Sequence, residues 1–515
     1  MDYGAGMTDL LLRDVRVVPL DPGTATSPGT PSTEPCDLLI VDGSITEVGT
    51  ALEASDGIPV LEGEGRWALP GLWDHHVHMT QWGLSKTRLD TGPATSVEEV
   101  QALVRQRLEG GPLPPTGILT GWGHRSARWS VQPTVAALDA VTDTVPVVLI
   151  SGDGHHGWLN TPALQLLDAP ETTGVIAEGP WFATYERIGR LPGAEEEGEI
   201  GVAEALREAH RLGIVGITDL EFGRPWAQWR HRKEEGMPLV RARVGVYPEG
   251  LDEVIEAQVR SGDVISGTRG LVTMGPLKVI SDGSLNTRTA WCCQPYADAH
   301  LLEHPCGAPN LATDELRDLM DRAHRHGLYL AIHAIGDAAV HQALVAFEGT
   351  GGTGGIEHAQ LIDTADLQRW SRLPVRASVQ PAHLLDDRGV TEQCWPDRTD
   401  RTFTLRSFLD HGIELALGSD APVSALDPWL TMASAVHRGP VGEESWHPEQ
   451  ELTVQEALAG SVDGQRLVAG GRGDVILLDD DPGAAQGRSS SEQAAHLLAT
   501  RVTATVVDGR LVHGG

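Results

Sequence analysis

The chain has 515 residues, 40% hydrophobic and 22% charged, the composition of a soluble globular protein, and it is long enough for a large barrel or several domains. Its 72 acidic against 39 basic residues leave a formal charge of −33, which excludes nucleic acid and anionic membranes as natural partners. Five cysteines, Cys36, Cys292, Cys293, Cys306 and Cys394, are an odd number without a Cys-x-x-Cys pair; they argue against a disulfide framework or thiolate zinc knuckle and for a reducing cytoplasm. Residues 1–16 lack a basic segment followed by an apolar core, and no apolar run reaches the roughly 18 residues of a membrane span.

Residues 10–20 carry Val15, Val17 and Val18 in a strand-like run, followed by a Pro/Thr/Ser-rich loop at 21–35. Runs 37–41 and 44–48 flank Asp42-Gly43, a dipeptide that suits a tight primed turn and predicts a hairpin. The C-terminus repeats the pattern, with a strand at 474–478 and runs 502–507 and 510–513 about Asp508-Gly509. Two hairpins of one style at opposite ends predict a small β-sandwich domain built from both termini, 1–69 plus 441–515. Between them strand-like and helix-like runs alternate, the pattern of an α/β parallel sheet or barrel. Strand candidates are 67–78, 213–219, 240–246, 277–281, 328–333, 355–358, 376–380 and 413–419. That is the number a (β/α)8 TIM-like barrel requires, here over 70–440. Helical runs at 194–212 and 313–326 stop at Gly213 and Gly327. The stretch 80–200 exceeds one βα unit. It holds a helix at 96–109, a Gly/Pro break at 110–117, Gly121-Trp122-Gly123 and a strand-like run at 145–150, and it reads as a cap insertion after barrel strand one.

Chemistry in such a barrel lies where the strands end. Strand one closes on His76-Val77-His78, and strand alternation puts both imidazoles on one side, where they can hold one borderline metal ion. Among 21 histidines one such motif is expected by chance. A second, His324-Arg325-His326, falls at a helix end, where i and i+2 diverge and solvation near the negative dipole end accounts for both residues. Strand four carries Lys278 in a Leu-Lys-Val-Ile run, where an amine is difficult to bury unless paired, deprotonated or modified. Strand five ends in His333, strand six in His358 and strand eight in Asp420. Each has an ordinary alternative: a core histidine bonded to backbone for His333, an ion pair with Glu357 for His358, a helix cap for Asp420. Taken together, in this strand order, they predict one metal site.

These segments resemble the amidohydrolase superfamily, and within it the amidohydrolase 3 branch that includes N-substituted formamide deformylases. The likeness runs through residues 70–78, Gly121-Trp122-Gly123, Asp153-Gly154-His155 to Asn160, 278–290, His333-Ala-Ile-Gly-Asp337, Glu357-His358-Ala-Gln360, Gln380-Pro-Ala-His383 and 418–423. The resemblance implies a barrel plus a β-sandwich from both chain ends, and two divalent metal ions, with zinc first among zinc, manganese, nickel and iron. His76, His78 and Asp420 would bind one ion, His333 and His358 the other, and Lys278 would bridge them as a CO2-derived carbamate. A hydroxide held between the metals would be the nucleophile and Asp420 the general base. The implied reaction is hydrolysis of a non-peptide C–N bond in a small amide, N-substituted formamide or cyclic amide, with a homo-oligomer left open.

Two departures accompany the likeness: residues 467–473 are shorter than the usual form, and His75 replaces a small residue. His155, Asn160 and Trp122 are candidate substrate contacts in the insertion; a structural role, the insertion bonded to itself, is the alternative. Trp129 and Trp158 are read as pocket lining or packing, and Asp282 and Arg288 as orienting groups or loop pairing. A mononuclear zinc deaminase would carry Glu at the third position after the strand-five histidine, where this chain has Gly336. An inactive interaction protein would have lost ligands that are present here.

Overall fold

The computed structural model describes residues 9–20, 34–126, 129–152 and 156–514. Residues 21–33 of the expected loop 21–35 and the candidate His155 lie outside them. Contacts divide the chain into two compact units, 79–205 and a larger one made of 1–78 and 206–515. No helix among the described residues is long and apolar enough to cross a membrane.

The larger unit is built on eight parallel strands that pair in chain order: Leu72–Val77, Ile214–Asp219, Arg241–Val246, Val272–Ile280, Leu330–Ala334, Gly354–His358, Val375–Val379 and Leu415–Leu417. Strands buried on both faces read as continuous apolar runs, and Ile214–Asp219 is buried at every position. The sheet closes between strands eight and one: Val77 bridges Ala421, and the Asp420 N–H donates to the His76 carbonyl at 2.7 Å. The Asp74 carboxylate accepts from the backbone N–H groups of His76 (2.9 Å) and Ser419 (3.0 Å) across the same seam.

The sequence run 67–78 is not one strand. Trp67–Pro70 pairs antiparallel with Val475–Leu478, whereas Leu72–Val77 pairs parallel with Ile214–Asp219. Gly71 sits between them against Val215, whose Cγ1 would lie 2.3 Å from any Cβ at that position. The chain therefore leaves one sheet and enters another within two residues.

Both termini meet in one β-domain, with strands in the order Arg510–Gly514, Val502–Val507, Val475–Leu478, Trp67–Pro70, Leu10–Val17, Cys36–Val41 and Ser44–Gly49. The strand Leu10–Val17 has an irregular register between Leu12 and Val15 and pairs on either side of that bend with different partners. Two layers thus share a core of Leu10, Leu12, Val15, Leu38, Ile40, Val475, Leu477 and Val506. Both hairpin turns have positive φ at their two central residues, 49° and 70° at Asp42-Gly43 and 54° and 74° at Asp508-Gly509, the geometry that matches strand twist. Strand structure at the C-terminal end begins only at Val475. The helix Val454–Gly460 packs on barrel strand eight, and Ser490–Ala499 packs on the barrel helix Pro428–Val436. The β-domain is tied to the barrel by Arg241 on strand three, which pairs with Asp474 (2.5 Å) and Asp508 (3.0 Å); Arg243, two residues on, makes a bidentate pair with Asp463 in the turn after Val454–Gly460 (2.7 and 2.6 Å) while lying over the Trp73 ring at 4.3 Å.

The smaller unit has its own five-stranded sheet, in the order Val175–Ala177, His156–Leu159, Val147–Ser151, Leu119–His124 and Leu89–Asp90. Its helix Val97–Glu109 begins at Ser96, whose side chain accepts from the Glu99 N–H as an N-cap should. Val100, Val104, Leu138, Leu149 and Trp158 form one of its cores.

Candidate metal centre

At the C-terminal ends of the barrel strands the expected residues converge on one cavity of about 440 Å³ lined by His76, His78, Lys278, His333, His358 and Asp420. Neighbouring imidazole centroids are 5.5 Å apart for His76 and His78, 5.0 Å for His76 and His358, and 4.6 Å for His333 and His358. Asp420 is placed among them: its Oδ1 lies 3.4 Å from Nε2 of both His76 and His78, and its Oδ2 lies 4.0 Å from His358 Nδ1. Two candidate ligand positions sit in the left-handed region, His358 at φ 71° and Asp420 at φ 57°. Such backbone costs about 1–3 kcal/mol for a residue other than glycine and clusters where side chains must be aimed.

The outer nitrogen of three rings is occupied, which sets the tautomer of each. His76 Nδ1 is 2.7 Å from Glu357 Oε2, His358 Nδ1 is 2.8 Å from Gln380 Oε1, and His333 Nε2 is 3.1 Å from the Gly283 carbonyl. Burial and then the charge of Lys278 lower the His76 imidazole, and the same causes take His333 down to about 3. Burial and His333 lower His358 well below its ordinary value. Asp420 is held well below the carboxylate range, because His76 and His78 outweigh the opposing effect of burial. Glu357 is likewise kept down to about 2 against burial, chiefly by its bond to His76. Neutral imidazoles beside ionised carboxylates are the protonation states that bind metal.

Lys278 is 2% exposed, and its Nζ has no hydrogen-bond partner. Burial lowers its pKa, opposed by the charges of Glu357 and Asp420. An amine so placed, ringed by imidazoles and carboxylates, fits a group that adds oxygen ligands to it. His76, His78 and Asp420 also satisfy the spacing for one metal ion, as does a second trio, His358, His383 and Asp420.

His383 had no role in the sequence reading, although its segment was singled out there. It follows barrel strand seven, with its Nε2 3.9 Å from Asp420 Oδ2. Glu357 was read as a possible partner of His358; it bonds to His76 instead, because strand alternation turns it to the side opposite His358. Asp420 is not a helix cap: the helix Pro428–Val436 is capped by Asp427. Asp282 accepts from the N–H groups of Trp291, Ile335 and Gly336 and lies 3.4 Å from His333, and burial raises it to about 7. Arg288 pairs with Asp298 in its own loop at 3.2 Å. His326 is at the C-terminal end of its helix, its Nδ1 2.8 Å from the Arg322 carbonyl, away from any metal grouping among the described residues.

The candidates of the insertion fare differently, and Asn160 requires a correction. It is fully buried, accepts from Val147 N–H (2.9 Å) and Ala163 N–H (3.1 Å), and donates to the carbonyls of Thr142 (3.0 Å) and Val145 (2.8 Å). All of its amide capacity is spent on its own unit, leaving none for a substrate. Trp122 is partly exposed, with the Arg88 guanidinium 5.7 Å from its ring centre. Trp129 and Trp158 are core residues. His75 is buried on the other side of strand one, and burial and then Arg376 lower it to about 3.

Comparison with known proteins gives a consistent picture. A family model described as "Amidohydrolase family" matches residues 60–513. The N-substituted formamide deformylase of Arthrobacter pascens is 25% identical, over 86% of this chain and 90% of its own length. LONG AFTER FAR-RED 3 of Arabidopsis thaliana is 26% identical, over 82% of this chain and 78% of its own. A crystal structure of an uncharacterized metal-dependent hydrolase from Pyrococcus horikoshii superposes with a TM-score of 0.77 at 25% identity, covering 92% of this chain and 98% of that one.

Proposed function

Because the chain belongs to the amidohydrolase family, we propose that it hydrolyses a non-peptide C–N bond, in an amide, N-substituted formamide or cyclic amide, at a pair of divalent metal ions. His76, His78 and Asp420 would hold one ion and His333 and His358 the other, with Lys278 between them as the carbamate formed by adding CO2 to its amine and releasing a proton. The observation that carries this reading is the Lys278 Nζ, buried and unpartnered within the ring of ligands. A buried polar group left unpaired costs about 1–3 kcal/mol, and the carbamate turns that amine into a pair of oxygen donors. The likeness to a relative that is an N-substituted formamide deformylase supports the choice of bond.

When bound, divalent ions bring the pKa of water towards neutrality and polarise a carbonyl oxygen. The chain's own residues do the rest. The imidazoles, held neutral, keep a lone pair on the nitrogen not engaged by Glu357, Gln380 or Gly283. Asp420, kept ionised, receives the proton of the attacking water on a carboxylate oxygen and passes it to the leaving nitrogen. All five cysteines are free, which supports placing the enzyme in a reducing cytoplasm.

The test is elemental analysis of the purified enzyme together with its activity on N-formyl, N-acyl and cyclic amides. About two metals per chain and turnover in one of the panels are expected. Full activity with one metal per chain overturns the paired centre, and no turnover of any amide overturns the reaction.

A further inference from the structure

We propose that the cavity selects an amide carrying a cationic substituent and rejects one carrying a carboxylate, a specificity that rests on the hydrolase reading above. The cavity that contains the ligand set continues outward between two unlike walls. One wall is apolar: Phe222, 49% exposed, stacks on the His78 ring at 5.5 Å, and Val423 is 65% exposed. Tyr247 supports Phe222 at 4.8 Å and spends its hydroxyl on the Leu220 carbonyl.

The other wall is acidic. Asp386 and Asp387 both line the cavity, in the first turn of the helix Leu384–Cys394. Asp386 is exposed. Asp387 is nearly buried, and its two oxygens are fixed by neutral donors, Asn286 Nδ2 at 3.1 Å and Gln360 Nε2 at 3.0 Å.

Among the described residues no arginine lines the cavity, and the one lysine that does is Lys278, buried with an unpartnered Nζ. Carboxylate-bearing ligands are ordinarily held by Arg or Lys in a fork or point contact. Here a substituent carboxylate would meet Asp386 and Asp387 with no arginine or second lysine among the described lining residues to pair with it, and the net charge of −33 opposes its approach. An ammonium or amidinium group gains on both counts, with the apolar remainder of the molecule lying on Phe222 and Val423.

The experiment uses the full-length, metal-loaded enzyme and three probes of one skeleton: N-formylbenzylamine and its para-aminomethyl and para-carboxylate derivatives. At low salt kcat/KM should fall from the ammonium to the neutral to the carboxylate probe, with at least about a tenfold spread between the charged pair. The spread should narrow at high ionic strength and in Asp386→Asn and Asp387→Asn. Asp386→Asn changes an exposed residue and keeps the test valid if the buried replacement fails to fold. A carboxylate probe used as well as the ammonium probe overturns the proposal, as does an unchanged spread in Asp386→Asn. If no probe is turned over, the hydrolase reading is what fails; calorimetric binding of the same probes then decides the charge preference, equal or reversed affinity overturning it.

Discussion

Asn160 separates a structural from a substrate-binding role sharply enough to be measured. Alanine at this position removes an N-cap, worth about 1 kcal/mol. It also strips the Val147 N–H of the acceptor 2.9 Å away, and an unpaired buried donor costs about 1–3 kcal/mol. The carbonyls of Thr142 and Val145 each lose a donor as well, about 0.5 kcal/mol apiece. The sum is about 3–5 kcal/mol, a large fraction of the roughly 5–15 kcal/mol that holds a domain together. Because the loss falls within residues 79–205, amide hydrogen exchange resolved by segment is the appropriate assay. Exchange across the strands Val147–Ser151 and Leu119–His124 should accelerate on the order of a hundredfold or more. Asn160→Asp, which sets a buried carboxylate oxygen against the Thr142 and Val145 carbonyls, should cost at least as much as alanine. Unchanged exchange in Asn160→Ala together with a raised KM would refute the structural account and return the residue to the substrate.

Four further outcomes follow from the larger unit. Lys278→Ala should lose activity and regain part of it with added short carboxylates, which can bridge as a carbamate does; wild-type activity without rescue would rule the bridge out. Asp420→Asn should abolish turnover in steady-state assays, since an amide cannot take the proton. Glu357→Ala should weaken metal retention about 10–100-fold in chelator competition, the usual cost of losing a partner behind a ligand histidine, with Glu357→Gln recovering part of it through an oxygen that still accepts from His76 Nδ1. Asp463→Asn tests the pair between barrel strand three and the turn after Val454–Gly460. Arg243 holds Asp463 at about 2, against burial, where the ordinary value is 3.8. A depressed carboxyl stabilises the fold above the unfolded value and ceases to do so as pH falls through the folded one. The variant should therefore cost about 2 kcal/mol at neutral pH in denaturant titrations and only a few tenths of that at about pH 2; a constant deficit across that range would contradict the pairing. Asn tolerates the positive φ of 53° at this position, so backbone strain does not confuse the result.

Much of the barrel was legible because buried parallel strands announce themselves as apolar runs, and the polar residues that end them stand out against that background. His76, His78, His333, His358 and Asp420 each follow such a run, and Lys278 interrupts one. The split at Gly71 was less visible, since the residues on both sides of it are equally apolar and only their pairing partners differ. Residues that act through another residue escaped almost entirely. Glu357 stands 281 positions from His76, and nothing in its local sequence distinguishes a partner for strand one from a partner for its own neighbour. Asn160 misled for the opposite reason: it stands in a family-like segment, yet its amide is consumed by backbone groups at 142, 145, 147 and 163.

The orientation of the imidazoles explains why these unseen partners matter. A histidine offers a metal one lone pair, and the nitrogen that offers it is decided by where the other nitrogen sends its hydrogen. Here that choice differs from ring to ring: Nδ1 of His76 and His358 is turned to side chains, whereas Nε2 of His333 is turned to a main-chain oxygen. His78 has no such partner. Its Nδ1 is buried and unbonded, and the ring is held by stacking on Phe222. The residue that holds this candidate ligand is thus also one that lines the cavity with apolar surface. On the proposed reading, replacing Phe222 would disturb metal and substrate together, whereas replacing Asp386 would disturb the substrate alone.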